Sequence, residues 1–144
     1  MKTDTVLKAL VQNSDGDFLL LRRSETDSRR PGQWDLPGGL WEIGEDLLAG
    51  VAREIAEESG LHARLLRPFF SKTETAIWVE DGEAKSSNIC RIYFSAVVDG
   101  RHDVVLSYEH DMAQWVTLEQ ALDLIVYDRH KEVIQYILDN KLVL

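Results

Sequence analysis

Three carboxylates and one guanidinium crowd a short stretch of this sequence. It begins Gly39-Leu-Trp-Glu-Ile-Gly-Glu45 and closes Arg53-Glu-Ile-Ala-Glu-Glu58-Ser-Gly-Leu61. On a helix, at about 100° per residue, Glu54, Glu57 and Glu58 fall in an arc of roughly 100°. Carboxylates that close repel one another and raise each other's pKa. A multivalent cation would remove that repulsion, and hard carboxylate oxygens suit Mg²⁺ or Mn²⁺. A solvated acidic helix face is the plainer alternative for such a run.

The elements that must hold these groups can be read around them. Glu45 and Asp46 stand where a helix would begin, at its positive end. Gly60 stands where it would stop, because glycine takes the left-handed terminal conformation without steric cost. Leu48, Val51, Ala52 and Ile55 recur at i, i+3, i+4 and i+7 and form an apolar stripe. Upstream, Trp34-Asp-Leu-Pro37 reads as a short strand running into Gly38-Gly39, where the backbone can approach a ligand closely. Trp41 and Ile43 read as packing groups. The polar loop at 24–33 and the strand end before it carry Arg22, Arg23, Arg29 and Arg30. These are either solvated charges or a basic rim for phosphates, with Arg23 the leading substrate-binding candidate.

The remaining chain fills out a sheet and two further helices. Residues 5–11 and 18–21 are apolar runs about the turn signal Asn13-Ser-Asp-Gly16, which predicts a hairpin. Residues 61–79 hold mixed strand material. Asp81-Gly82 marks a turn, and the polar segment 80–88 reads as a loop long enough to touch substrate. Residues 89–98 make the strongest strand and are expected to be central. Thr117-Leu-Glu-Gln120 has the form of a capping box opening a helix through Leu124. Val133, Ile134, Ile137 and Leu138 predict a C-terminal helix over 129–139. Strands and helices mix without regular alternation, so the pattern predicts an α+β domain with a mixed sheet. Trp34, Phe69, Trp78 and Tyr93 could stack on a base, although such aromatics more often belong to a core.

Length and charge narrow the function. The chain has 144 residues, of which 44% are hydrophobic, and this predicts a single globular domain over 1–144. Its net charge is −9, from 25 acids and 16 bases, which argues against broad nucleic-acid binding. No run approaches the roughly 20 apolar residues of a membrane span, and no secretory leader is apparent. The single cysteine, Cys90, lies in an apolar run and reads as a buried, inert thiol. A reducing cytoplasmic setting fits these features.

The stretch from Gly39 to Leu61 resembles the signature of the Nudix hydrolases at Gly39, Glu45, Arg53, Glu54, Ile55, Glu57, Glu58, Gly60 and Leu61. The resemblance implies a Nudix-type α/β/α sandwich and cleavage of a diphosphate bond by water, with Mg²⁺ as cofactor and Mn²⁺ able to serve. It implies that Glu54, Glu57 and Glu58 are the metal carboxylates, Glu58 first, and that Gly38 adds its carbonyl. Arg53 would hold the carboxylates in one pose, unless it is an ordinary i,i+4 surface pair. Glu45 would support the loop or the outer sphere of the metal. In several members the general base is a glutamate in a loop shortly before a tryptophan-bearing strand. Glu109, ahead of Trp115, looks like that arrangement; Glu54 or Glu57 is the alternative. His110 either contacts the ligand or caps the loop. A MutT-like nucleoside triphosphate pyrophosphohydrolase is the leading expectation, acting on a small-molecule nucleotide or diphosphate substrate. Hydrolysis of a nucleotide sugar, a dinucleoside polyphosphate or a pterin triphosphate is the alternative, and a nucleotide-sensing module without catalysis is a third. Pairing into a homodimer is left open.

Overall fold

A computed structural model describes residues 2–100 and 103–144. The hairpin predicted at the N-terminus is strand β1 (Lys2–Gln12) and strand β2 (Phe18–Arg23), antiparallel where Gln12 meets Phe18. The two strands then diverge. Strand β3 (Trp34–Asp35) pairs with β2, and strand β4 (Gly38–Leu40) pairs with β1 at Val6–Lys8, so residues 34–40 fill the gap between them. The Ala9 N–H closes that wedge by donating to Pro37 O at 2.9 Å.

Helix α1 (Leu47–Ser59) follows. The Asp46 carboxylate caps it by accepting from Leu48 N and Ala49 N, and Gly60 ends it at φ 73° with its N–H on Ala56 O. Strand β5 (Arg64–Glu80) and strand β6 (Glu83–Val97) form one long antiparallel hairpin. The segment 80–88, expected to be a loop, is therefore mostly strand, and only Asp81-Gly82 turns. Both residues have positive φ, the geometry that matches the twist of a tight hairpin. The polar sequence misled because this far end of the hairpin is largely open to solvent, which leaves no inside-outside alternation to read.

Strand β6 runs parallel to β1 along the whole of Lys2–Gln12, which makes the sheet mixed. Strand β7 (His110–Val116) pairs with β2. Helix α2 (Leu118–Leu124) opens on the capping box of Thr117 and Gln120, and helix α3 (Asp128–Asn140) ends the fold. Alternation along the strands builds two cores. Leu7, Ala9 and Val11 face Val51 and Ile55 of α1, while Leu10, Leu20 and Tyr93 face Ile134 and Ile137 of α3. The expected Nudix-type α/β/α layering is thus present.

Three packing expectations need correction. Leu48 is exposed, and the buried neighbour of Val51 on the N-terminal side is Gly50, beside the Leu7 side chain. Ile43 is 95% exposed, while Trp41 packs on the core and donates from Nε1 to Glu45 O. Cys90 is half-buried rather than buried.

Because the Asp46 cap sets where α1 begins, Asp46→Ala is expected to cost about 1 kcal/mol. Chemical denaturation would measure this loss, and an unchanged midpoint would contradict the capping role.

Candidate active site

The last two turns of α1 face the wedge. The Gly38 N–H donates to Glu58 Oε1 at 2.6 Å, and Glu58 is only 4% exposed. This approach requires glycine, because Gly38 has φ 134° and a Cβ there would lie 1.9 Å from Leu7 O. One residue on, the Glu54 carboxyl rests where a Cβ on Gly39 would stand. Arg53 gathers the acids around it. Nε and Nη2 donate to the two Glu45 oxygens at 2.7 and 3.1 Å, and Nη1 reaches Glu54 at 3.1 Å and Glu57 at 3.3 Å. Such forked, charge-assisted bonds fix geometry as well as adding energy.

The electrostatics follow from burial. Burial raises the Glu58 carboxyl to about 8, against the opposing pull of Lys8 and the Gly38 N–H. Burial also raises Glu54, against the opposing charge of Arg53. Glu57 lies further out, with its side chain more than half exposed. The second Glu58 oxygen lies 3.8 Å from His110 Nε2. Burial lowers that imidazole to about 4, so it is neutral near pH 7 and offers Glu58 no counter-charge.

Beneath the wedge sits a buried polar network. Asp35 is fully buried; its Oδ2 accepts from Lys8 Nζ at 3.2 Å and from Arg23 Nη1 at 2.8 Å, and its Oδ1 lies 2.6 Å from His130 Nε2. His130 Nδ1 meets the Tyr93 hydroxyl at 2.9 Å. Burial pushes the Asp35 carboxyl up, but Lys8 and then His130 outweigh it and hold it well below the usual carboxylate range. Lys8 also donates to the carbonyls of Leu36 and Gly38, at 3.1 and 3.2 Å. One lysine thereby fastens the wedge to β1 and engages the Gly38 carbonyl.

Lys8, Gly38, Arg53, Glu54, Glu57, Glu58 and His130 border one cleft of about 570 Å³. Glu54, Glu57, Glu58 and Arg53 line one side, and Lys8, Arg23, Arg29, Arg30 and Arg91 line it as well. Gly38 and Glu109 also border it. Arg23 is held by Asp27 and Asp35, Arg30 lies over the Tyr127 ring at 4.0 Å, and Arg91 pairs with Glu74. The half-buried Arg22 pairs with Asp111 and is not among these lining groups. Sequence reasoning missed Lys8, Asp35 and His130 altogether, and it left His110 between contacting a ligand and capping the loop, whereas its ring lies buried 3.8 Å from Glu58. The Trp-Asp pair before Pro37 was the one available signal, because a carboxylate in an otherwise apolar strand needs a buried partner.

The donors fit a hard divalent cation. Glu58 is buried with one N–H donor to its carboxyl, and Glu54 and the Gly38 carbonyl border the same cleft. Arg53 holds Glu54 and Glu57, and among the described residues no three acidic, histidine or cysteine side chains already meet at one point.

Comparison with known proteins agrees with this architecture. Residues 1–137 match the family model described as NUDIX domain. The nucleoside triphosphatase NudI of Escherichia coli O81 (strain ED1a) is 34% identical over 131 residues, 89% of either chain. The m7GpppN-mRNA hydrolase NUDT17 of Homo sapiens is 43% identical over 75 residues, which is 52% of this chain and 22% of that protein. The crystal structure of the MutT protein from Methanosarcina mazei Go1 superposes with a TM-score of 0.78 at 30% identity, covering 97% of this chain and 96% of that one. The chain belongs to the Nudix family. It is a pyrophosphohydrolase, a hydrolase of phosphoric anhydrides. No helix among the described residues is long and apolar enough to cross a membrane.

The buried charge of Glu58 makes a pH prediction for the metal-free protein. Its folded pKa of about 8 exceeds the unfolded value of about 4.3, so the fold retains a proton that the unfolded chain has released. The resulting stability is full below the unfolded value and is lost as pH rises through about 8. Below about 6.5, His110 and His130, both lowered by burial, add the opposite slope. Between pH ~6.5 and ~8, stability should therefore fall by at most about 1.4 kcal/mol per pH unit in the wild type and stay level in Glu58→Gln. Denaturation in chelator across that window measures both slopes, and equal slopes would contradict the assignment.

Proposed function

We propose that residues 1–144 form a single MutT-like domain, a Mg²⁺-dependent nucleoside triphosphate pyrophosphohydrolase that releases a nucleoside monophosphate and pyrophosphate. The observation that carries this reading is a cleft shared by an acidic helix and a set of lysine and arginine side chains. A polyphosphate needs both, cations along its oxygens and carboxylates to recruit a divalent ion. Similarity to a nucleoside triphosphatase over nearly the whole of both chains supports the substrate class.

Mg²⁺, held by Glu54, Glu57, Glu58 and the Gly38 carbonyl, supplies neutralisation of the polyphosphate and polarisation of the bond to be cleaved. The chain's own residues do the rest. Arg53 positions Glu54 and Glu57. Lys8 orients the Gly38 carbonyl, and Arg23 and Arg30 offer positive charge to phosphate oxygens. Glu109 lies on the loop before β7 at the cleft margin, and its carboxylate has no partner among the described residues. That leaves it free to accept the proton of an attacking water. As the water oxygen bonds to phosphorus, the bridging P–O bond breaks and the leaving phosphate keeps the electron pair.

The test is a panel of nucleoside triphosphates, nucleotide sugars, dinucleoside polyphosphates and a capped dinucleotide, assayed with Mg²⁺ and with chelator. Nucleoside triphosphates should be cleaved to monophosphate and pyrophosphate only with Mg²⁺. Glu58→Gln and Glu109→Gln should each lower kcat by about 100-fold or more. Full turnover in chelator, or in Glu58→Gln, would overturn the site. Exclusive turnover of another substrate class would overturn the specificity.

A further inference from the structure

A second hollow opens beside the cleft, and its chemistry differs. It encloses about 320 Å³ and is bordered by Asp4, Arg29, Ala76, Trp78, Ser87 and Ile89. Small-molecule sites typically run from about 300 to 1,000 Å³. Asp4, Arg29 and Ile89 also border the catalytic cleft, so the two spaces share a wall.

The sheet explains why this hollow exists. Asp4 of β1 stands beside Ile89 of β6, and Ser87 of β6 stands beside Ala76 of β5. Residues in register carry their side chains on one face. Small and aliphatic groups, Ala76 and Ile89, thus make a low apolar floor. Trp78 rises next to it on β5, 42% exposed, with its ring tethered by Nε1 donating to Glu80 Oε2 at 3.3 Å. An indole held at the side of an apolar floor, away from the main cores, is a stacking wall.

Two charged groups complete the hollow. Arg29 stands on the wall shared with the cleft. Its backbone N–H is held by Asp27, but its guanidinium has no hydrogen-bond or ion-pair partner among the described residues. Arg23, Arg30, Arg53 and Arg91, the other arginines of the cleft, are all engaged by carboxylates. Among the described residues Asp4 is held only by a loose 3.6 Å pair with the exposed Lys2, which leaves its oxygens open to N–H donors.

We propose that this hollow is the base-binding subsite of the nucleotide and that it selects guanine. Resting on the triphosphate reading above, it places the polyphosphate in the cleft, Arg29 at the junction between phosphate and nucleoside, and the base on Ala76 and Ile89 against Trp78. Guanine is the ordinary base whose ring N–H lies next to an amino group, a two-donor edge that a carboxylate accepts with both oxygens. Inosine keeps the ring N–H and lacks the amino group, so it isolates the contribution of Asp4.

Steady-state kinetics with GTP and ITP on the wild type, Asp4→Asn, Trp78→Ala and Trp78→Phe test this. Wild type should show a KM for GTP about tenfold below that for ITP, and Asp4→Asn should bring the two together. Trp78→Ala should raise KM for both by about tenfold or more, and Trp78→Phe should restore most of the loss by keeping a ring. An unchanged GTP-to-ITP ratio in Asp4→Asn, or an unchanged KM in Trp78→Ala, would overturn the subsite. Failure of the wild type to cleave either nucleotide would instead overturn the triphosphate reading. The subsite would then be read by quenching of tryptophan fluorescence on titration with GMP. Quenching in the wild type that is lost in Trp78→Ala supports it, and equal responses overturn it.

Discussion

One hydrogen bond joins the two halves of the site. The Gly38 N–H reaches the Glu58 carboxylate, and so ties the wedge between β1 and β2 to the end of α1. Only glycine allows it, because any Cβ at that position would enter the Leu7 carbonyl. The bond buries a carboxylate with one neutral donor, which is poor compensation for a charge removed from water. The same contact that assembles the cleft therefore leaves the Glu58 carboxyl poorly compensated. A divalent ion held there, as proposed above, would supply that compensation, which would give metal binding a physical origin in the fold.

The wedge needs its own support, and Asp35 supplies it. A fully buried carboxylate would ordinarily destabilise the fold, but Lys8, Arg23 and His130 approach it from β1, β2 and α3. Removing one partner of such a cluster exposes the others to the full cost of burial without pairing. Through Lys8 the network continues to the Gly38 carbonyl, and through Tyr93 to the sheet beneath α3. The C-terminal helix is thereby connected to the Gly38 loop, although it contributes no carboxylate to the acidic wall.

Much of this was legible from local chemistry. Asp46 and Gly60 bracket α1 because capping uses residues adjacent to the helix, and the box at Thr117 and the turn at Asp81-Gly82 are equally local. The spacing of Glu54, Glu57 and Glu58 fixes their shared side of the helix in any fold. What stayed hidden depends on contacts between distant residues. Lys8 and Asp35 are far apart in sequence, and Asp35 and His130 are further still; each alone resembles an ordinary strand or helix charge. Leu48 and Ile43 misled for the related reason that an apolar side chain does not announce whether a neighbour covers it. The aromatic wall at Trp78 appears only when β5 and β6 pair as one long hairpin.

The most direct measurement replaces Mg²⁺ with paramagnetic Mn²⁺ and follows the phosphorus resonances of a bound, non-hydrolysable nucleoside triphosphate analogue. An acidic helix that seats the ion against the polyphosphate predicts strong broadening of those resonances in the wild type and its loss in Glu58→Gln with the analogue still bound. Broadening of equal strength in both proteins would show that the ion sits elsewhere, and would contradict the role given to the buried carboxylate.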